Sequence, residues 1–250
     1  MNFDRAADYY DATRGLPDDV SRALTEILAA ELGGRRLCLE IGVGTGRIAL
    51  PLADRGVSLL GADIAEAMLL RLVANAGGRA PFPLLLADAA GLPLGAGSVD
   101  AVLSSHVLHL IPGWQAVVDE ARRVLRPGGV LLVDFGGGPP APWSRWSHEI
   151  MHGLGVTRLR PGVSTPDDVI AHLPPATPVR ALPAVTMIVT HRLEEDLEDW
   201  AQQIHSWTWF YRADEISRAV AAVREEASRR DWPVDREVEL TRTIQWWAFG

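Results

Sequence analysis

Leu37-Cys-Leu-Glu40-Ile-Gly42-Val-Gly44-Thr-Gly46 decides the reading of this chain. An apolar run carrying one acid, Glu40, predicts a buried strand over 36–41. Three glycines at alternate positions then turn the chain into a helix over 46–55. Glycine adopts φ > 0 freely and lets a ligand come close to the main chain. A second apolar run, Val57-Ser-Leu-Leu-Gly-Ala62, ends on Asp63, a carboxylate placed to accept hydrogen bonds from two ribose hydroxyls. The acid follows the glycine turn at about the ~20-residue spacing of nucleotide-binding units. Together these features predict a nucleoside-binding crevice at the carboxyl ends of parallel strands. The dinucleotide pattern G-x-G-x-x-G would place its third glycine at position 47, where Arg47 stands.

Outward from this stretch, strand and helix alternate. An amphipathic helix over 19–32 puts Val20, Ala23, Leu24, Ile27 and Leu28 on one side. A helix over 65–75 follows Asp63. Pro83-Leu-Leu-Leu-Ala87 leads to Asp88, Val99–Ser104 is a fourth strand, and a helix over 114–125 precedes Arg126-Pro-Gly-Gly129 and a fifth strand, Val130–Phe135. Five such alternations predict a doubly wound parallel sheet with right-handed crossovers. Gly136-Gly-Gly-Pro-Pro-Ala-Pro142 breaks the pattern. Beyond it, helices are predicted over 143–154, 165–173, 193–211 and 213–230, and strands over 185–190 and 236–249, the last two forming the antiparallel edge.

At 250 residues and 48% hydrophobic the chain can bury one large core. The formal net charge of −8 disfavours a nucleic-acid substrate, which needs clustered cations. All 24 cations are arginine. Without lysine there is no Schiff base, no lysine general base and no P-loop lysine, which excludes pyridoxal-phosphate enzymes, Walker-type NTPases and protein kinases. The single cysteine, Cys38, excludes internal disulfides and cysteine zinc sites. The start, Met1-Asn-Phe-Asp-Arg5, carries no apolar signal segment and no run is long enough to span a bilayer. A cytoplasmic protein is expected.

These motifs, in order, resemble the class I S-adenosylmethionine-dependent methyltransferases of the small-molecule type, similar to those of ubiquinone and menaquinone biosynthesis. The likeness runs over roughly 3–135 in motifs and by topology beyond. Phe3–Arg14 resembles the family's N-terminal lid, Asp88-Ala89 before Gly-Leu-Pro its adenine-edge site, Ser98-Val-Asp100-Ala-Val-Leu its fourth-strand signature, and Leu125-Arg-Pro-Gly-Gly its turn into the fifth strand. The resemblance implies an α/β Rossmann-like doubly wound sheet of seven strands, mostly parallel with the last antiparallel, and a helical cap in the C-terminal half. Within a single domain of 1–250 it implies lid helices over 1–35, a cofactor-binding core over 36–135, cap segments over 141–180 and 193–232, and a final strand over 236–249.

The same resemblance implies S-adenosylmethionine as cofactor, with S-adenosylhomocysteine as product. Asp63 would take the ribose diol, and Ile64 and Met68 would wall the adenine. Asp88 would accept the adenine amine, with the Ala89 N–H beside it. Gly42, Gly44 and Gly46 would line the methionine portion, with Glu40 orienting the loop through hydrogen bonds and Ser105 lying close by. Tyr10 and Arg14 would reach the methionine carboxylate, for which an arginine fork suits the geometry.

Methyl transfer from a sulfonium is an in-line displacement, so the protein mainly positions the acceptor and excludes water. A hydroxyl or carbon acceptor also needs a base. In Ser104-Ser105-His106-Val-Leu-His109-Leu-Ile-Pro112, His106 is the candidate base, since imidazole titrates near neutrality, and His109 a second contact. Leu110 stands where some quinone-pathway relatives have a metal ligand, so no metal is expected. The expected acceptor is a small molecule, aromatic or hydrophobic, met by cap aromatics such as Trp143, Trp146, Trp200, Trp207, Trp209, Phe210 and Tyr211.

His148-Glu149-Ile-Met-His152 spells the H-E-x-x-H of zinc hydrolases. Such a site needs a third protein ligand, and the next glutamate is Glu194, so the motif is read as incidental to a helix. Two alternatives stand beside the methyltransferase. One is a nicotinamide-dependent oxidoreductase, opposed by Arg47, Glu40 and Asp88-Ala89. The other is a non-catalytic S-adenosylmethionine-binding protein of the same fold.

Overall fold

The computed structural model describes residues 3–250, so positions 1 and 2 of the expected lid lie outside it. The strands are β1 (Cys38–Ile41), β2 (Leu59–Asp63), β3 (Leu84–Leu86), β4 (Val99–Ser105), β5 (Leu125–Asp134), β6 (Val179–Ala181), β7 (Val185–His191), β8 (Val238–Ile244) and β9 (Trp246–Phe249). The helices are α1 (Tyr10–Arg14), α2 (Asp18–Leu32), α3 (Ala49–Asp54), α4 (Glu66–Asn75), α5 (Trp114–Val124), α6 (Ser144–Gly153), α7 (Pro166–His172), α8 (Leu193–Ala201) and α9 (Ala213–Arg229). Two compact units emerge, Met1–Gly136 with Pro161–Val185 and Ile244–Gly250, and Gly137–Arg160 with Thr186–Thr243.

The first unit is built on a seven-stranded sheet in the order β3-β2-β1-β4-β5-β9-β6. β1 pairs in parallel with both β2 and β4, and β5 in parallel with β4. β9 runs antiparallel to both β5 and β6, as expected of the last strand. Every residue of β1 and β2 is buried, the mark of parallel strands covered on both faces. α2 shows how the helices cover them. Asp18 and Asp19 sit in its first turn, where the helix dipole favours acids, and Val20, Leu24, Leu28 and Leu32 recur on its buried face. The strand order reverses between β1 and β4, and in open α/β sheets ligands bind above such a switch point.

Several elements differ from expectation. The run 185–190 is a strand but does not join the large sheet; it pairs with β8 in a separate two-stranded sheet. Its residues alternate between half-buried and exposed, a pattern of one covered face rather than two. The place beside β9 is taken by β6 instead, and the run 236–249 divides at Gln245 into β8 and β9. Residues 161–180, expected within the cap, belong to the first unit: Val163, Val169 and Leu173 are buried in its core, and the Gly162 and Val163 N–H groups donate to the carbonyls of His109 and Leu108. The helix expected from 46 begins at Ala49.

The second unit has its own core, in which Trp143, Trp146, Trp200 and Trp207 pack with Leu193, Leu197, Ile216 and Val223. Trp143 donates its Nε1–H to Asp196 at 2.7 Å, and His191 lies 3.1 Å from the same carboxylate. The helix expected over 193–211 stops at Ala201 and resumes as a 3-10 turn over Ser206–Phe210. On α6, Glu149 and His152 are exposed, and Glu149 lies 3.9 Å from Arg145. Among the described residues no three His, Cys, Asp or Glu side chains come together as metal ligands. Nor is any described helix long and apolar enough to cross a membrane.

Candidate active site

A crevice of about 260 Å³ opens above the carboxyl ends of β1, β2, β3 and β4, far more than the ~30 Å³ share of one water. Its floor is the glycine turn. Gly42 and Gly44 have φ of 65° and 54°, a region that costs most L-residues about 1–2 kcal/mol. A Cβ on Gly42 would also collide with Val107 Cγ2 in the loop after β4. Both glycines face the crevice, whereas Gly46 does not. Gly46 is required for packing, since a Cβ there would lie 2.7 Å from Leu50 Cγ.

Asp63, at the end of β2, ties this floor together. Its Oδ2 accepts the Gly44 N–H at 2.8 Å and its Oδ1 the Ala65 N–H at 2.9 Å. An ionised carboxylate offers about four acceptor positions, and with the Gly44, Ala65 and Ile64 N–H groups facing it Asp63 keeps acceptor capacity for a ligand. Burial pushes the Asp63 carboxyl up, against the backbone N–H groups that hold it down. Ile64 and Met68 form the apolar wall beside it, and Asp88 and Ala89 the wall after β3. Asp88 Oδ1 accepts the Ala90 N–H at 2.9 Å, an Asx turn that fixes the carboxylate at the rim.

Glu40 sits beneath the turn, 2% exposed. Burial pushes its carboxyl up to about 8, with Arg47 opposing. Its Oε2 has no hydrogen-bond partner, so that oxygen does not make the loop contacts expected of it. An orphaned buried acceptor costs roughly 1–3 kcal/mol and is suited to a cationic donor. Tyr10 lines the crevice. Arg14 does not; its Nη1 donates to the Thr13 carbonyl at 3.0 Å.

The N-terminal segment is fastened to the core by two acids. Asp11 accepts from Thr45 Oγ1 at 2.5 Å and from Asn75 Nδ2 at 2.9 Å, and Arg71 lies 3.4 Å away. Asp4 Oδ1 accepts the Ala67 N–H at 3.0 Å in the first turn of α4.

The loop after β4 supplies Ser105, His106, Val107, Leu110, Ile111 and Pro112 to the crevice. His106 has φ of 58°, a conformation rare outside glycine and concentrated at functional sites. Its N–H donates to the Asp134 carbonyl at 3.0 Å, and its Nε2 lies 3.2 Å from Asp134 Oδ2. Asp134 is 5% exposed. It also accepts from Ser105 Oγ at 3.2 Å and from the Gly136 N–H at 2.9 Å. Arg47 Nη2 in turn donates to Ser105 Oγ at 3.0 Å. Burial alone would raise the Asp134 carboxyl, but the His106 hydrogen bond and charge, the Gly136 N–H and the Arg47 charge outweigh it and hold it below the usual range. The His109 ring stands edge-on to His106, centroids 6.2 Å apart, outside the crevice wall.

A glycine turn, an acid closing the second strand and a crevice at the switch point are thus assembled from one unit. The methyltransferase domain family matches residues 39–133, from β1 to the penultimate residue of β5. Nocamycin O-methyltransferase of Saccharothrix syringae is 32% identical over 228 residues, 84% of this chain and 80% of that protein. The chain belongs to the class I S-adenosylmethionine-dependent methyltransferases. A demethylmenaquinone methyltransferase of Beutenbergia cavernae is 30% identical over 209 residues, 81% of this chain and 76% of its own length. Among solved structures, a Bacillus halodurans C-125 protein assigned as a methyltransferase has the same fold, with a TM-score of 0.61 at 18% identity over 93% of this chain and 98% of that one. This methyltransferase transfers a methyl group to a small molecule.

Two residues of the site escaped the sequence reading. In the sequence Arg47 stands out only as the residue in place of a third glycine. Asp134 ends the apolar run Val130–Val133 at a strand's carboxyl end, the same signal that singled out Asp63.

Proposed function

We propose that this methyltransferase holds S-adenosylmethionine in the crevice between the glycine turn and Asp88 and methylates a small apolar or aromatic acceptor beside His106, in the cytoplasm. The pairing of Asp63 with Gly44 carries the reading, because it fixes a carboxylate with acceptor capacity to spare where the ribose diol belongs. Ile64 and Met68 supply the adenine wall, Met being an adaptable apolar surface. Asp88 and the Ala89 N–H take the adenine edge. The orphaned Oε2 of Glu40 suits the ammonium of the methionine portion, and Tyr10 closes that end.

The bound cofactor supplies an activated methyl group; the chain's own residues do the rest. Val107, Leu110, Ile111 and Pro112 exclude water and seat an apolar acceptor. His106 takes the acceptor's proton. His109, outside the wall, acts through its packing on His106 rather than by touching substrate.

Incubation with [methyl-13C]S-adenosylmethionine and a panel of aromatic and apolar acceptors tests the reading. Labelled products from acceptors of this class support it. Labelled products only from large polar or polymeric acceptors overturn it.

A further inference from the structure

We propose that Asp134 sets His106 as a base for an oxygen acid, so that the acceptor is a phenolic or enolic hydroxyl on an apolar body; this rests on the methyl-transfer reading above. Four observations carry it. The Nε2 of His106 lies 3.2 Å from Asp134 Oδ2. The carboxylate is itself fixed, by Ser105 and the Gly136 N–H at 3.2 and 2.9 Å. Ser105 is held by Arg47 at 3.0 Å. Finally, the chain crosses the His106 ring at Gly136, where a Cβ would lie 2.9 Å from both Cε1 and Nδ1. A side chain at a left-handed φ, clamped at one nitrogen and covered by a glycine, is fixed far more firmly than binding a nucleoside requires.

The tautomer follows from the partner. An ionised carboxylate only accepts, so a neutral His106 carries its proton on Nε2 and presents the lone pair of Nδ1. Asp134 from β5 and His109, edge-on from its own loop, face the ring, while Arg47 from the glycine turn acts on Asp134 and holds Ser105.

This apparatus suits an acceptor that must give up a proton, which among the heteroatoms is a hydroxyl. A neutral amine attacks with a lone pair it already has, and a thiol with a reference pKa near 8.5 ionises substantially unaided, whereas a phenol near 10 needs its proton removed in the transition state. In the step, the hydroxyl proton passes to Nδ1 of His106 as the oxygen lone pair forms the bond to the methyl carbon. The carbon–sulfur bond breaks and keeps its electron pair on sulfur. The positive charge lost there reappears on His106, where Asp134 stabilises it. Asp134 is a positioning residue; His106 is the catalytic one.

A matched series tests this: 1-naphthol, 1-naphthylamine and 1-naphthalenethiol present the same apolar ring with three acceptor atoms. The proposal expects naphthol to exceed naphthylamine by about tenfold or more in kcat/KM. His106→Ala should lower naphthol turnover roughly 100-fold, within the usual span of a general base. Naphthylamine as the better acceptor, or unchanged naphthol turnover in His106→Ala, overturns it. Histidine 15N spectra test the positioning role independently of the acceptor. His106 should be an Nε2–H tautomer in the wild type and lose that preference in Asp134→Asn; a tautomer that does not respond overturns it. Calorimetric binding of S-adenosylhomocysteine separates the two levels. Retained affinity in both variants confines a failure to this proposal, and absent affinity in the wild type would overturn the cofactor reading beneath it.

Discussion

Asp63 and Gly44, 19 residues apart on different strand ends, are joined by a 2.8 Å hydrogen bond from the glycine N–H to Oδ2. The contact makes the carboxylate part of the turn it faces. Asp63→Asn retains one oxygen acceptor and loses the charge and the second. A hydrogen bond to a charged group is worth about 1.5–3 kcal/mol, so S-adenosylhomocysteine should bind roughly 10- to 150-fold more weakly. Calorimetry reads the change directly, and an affinity within threefold of wild type would remove Asp63 from the ribose site.

Glu40 predicts an unusual dependence of stability on pH. Burial lifts its carboxyl from 4.5 to about 8 in the folded chain. Between these values the folded state binds the proton that the unfolded state has released, so stability falls as pH rises. The contribution is fully present below about 4.5 and is lost as pH passes through about 8. Glu40→Gln removes the ionisation. Thermal unfolding of the variant should show a smaller loss of Tm between pH 6 and pH 9 than the wild type, and superimposable profiles would show that Glu40 is not held neutral.

Asp11 predicts a latch. It holds Thr45, Asn75 at the end of α4 and Arg71, so Asp11→Ala removes three contacts that anchor the N-terminal segment. Amide exchange over residues 9–14 should accelerate by about tenfold or more, equivalent to roughly 1.4 kcal/mol of local opening, while exchange in β1 and β4 stays unchanged. Equal exchange in wild type and variant would mean the segment is held by its other contacts.

Gly136→Ala tests the clamp on His106. At a φ of 68° a side chain is strained in any surroundings, and here its Cβ meets the imidazole. The ring must tilt from Asp134. Turnover should fall at least about tenfold, in keeping with the sensitivity of general bases to geometry, with S-adenosylhomocysteine affinity little changed. A parallel loss of affinity would show that the substitution disturbs the whole crevice.

What could be read from the sequence was whatever is local. Glu40, the glycines at 42 and 44, Asp63 and Asp88 are tied to strand ends by short-range patterns; all but Glu40, which is buried beneath the turn, line the crevice. Strand pairing is not local. The alternation in 185–190 announces a strand but not its neighbour, and β6, only three residues long, gives too little periodicity to compete for the sheet edge. The arginine of the site shows another limit. Arg14 was favoured because a guanidinium suits a carboxylate, yet its Nη1 turns to the Thr13 carbonyl, while Arg47 reaches Ser105 because the turn carries it across the end of β4. Asp134 closes an apolar strand as Asp63 does, and the role that sets it apart shows only in its contact with His106.

The central claim is that this crevice is an S-adenosylmethionine site, and calorimetric titration of the purified protein with S-adenosylhomocysteine and, separately, with NADH tests it most directly. The account predicts micromolar, one-to-one binding of S-adenosylhomocysteine, weakened in Asp63→Asn, and no heat with NADH. Binding of NADH alone, or of neither ligand, would contradict it.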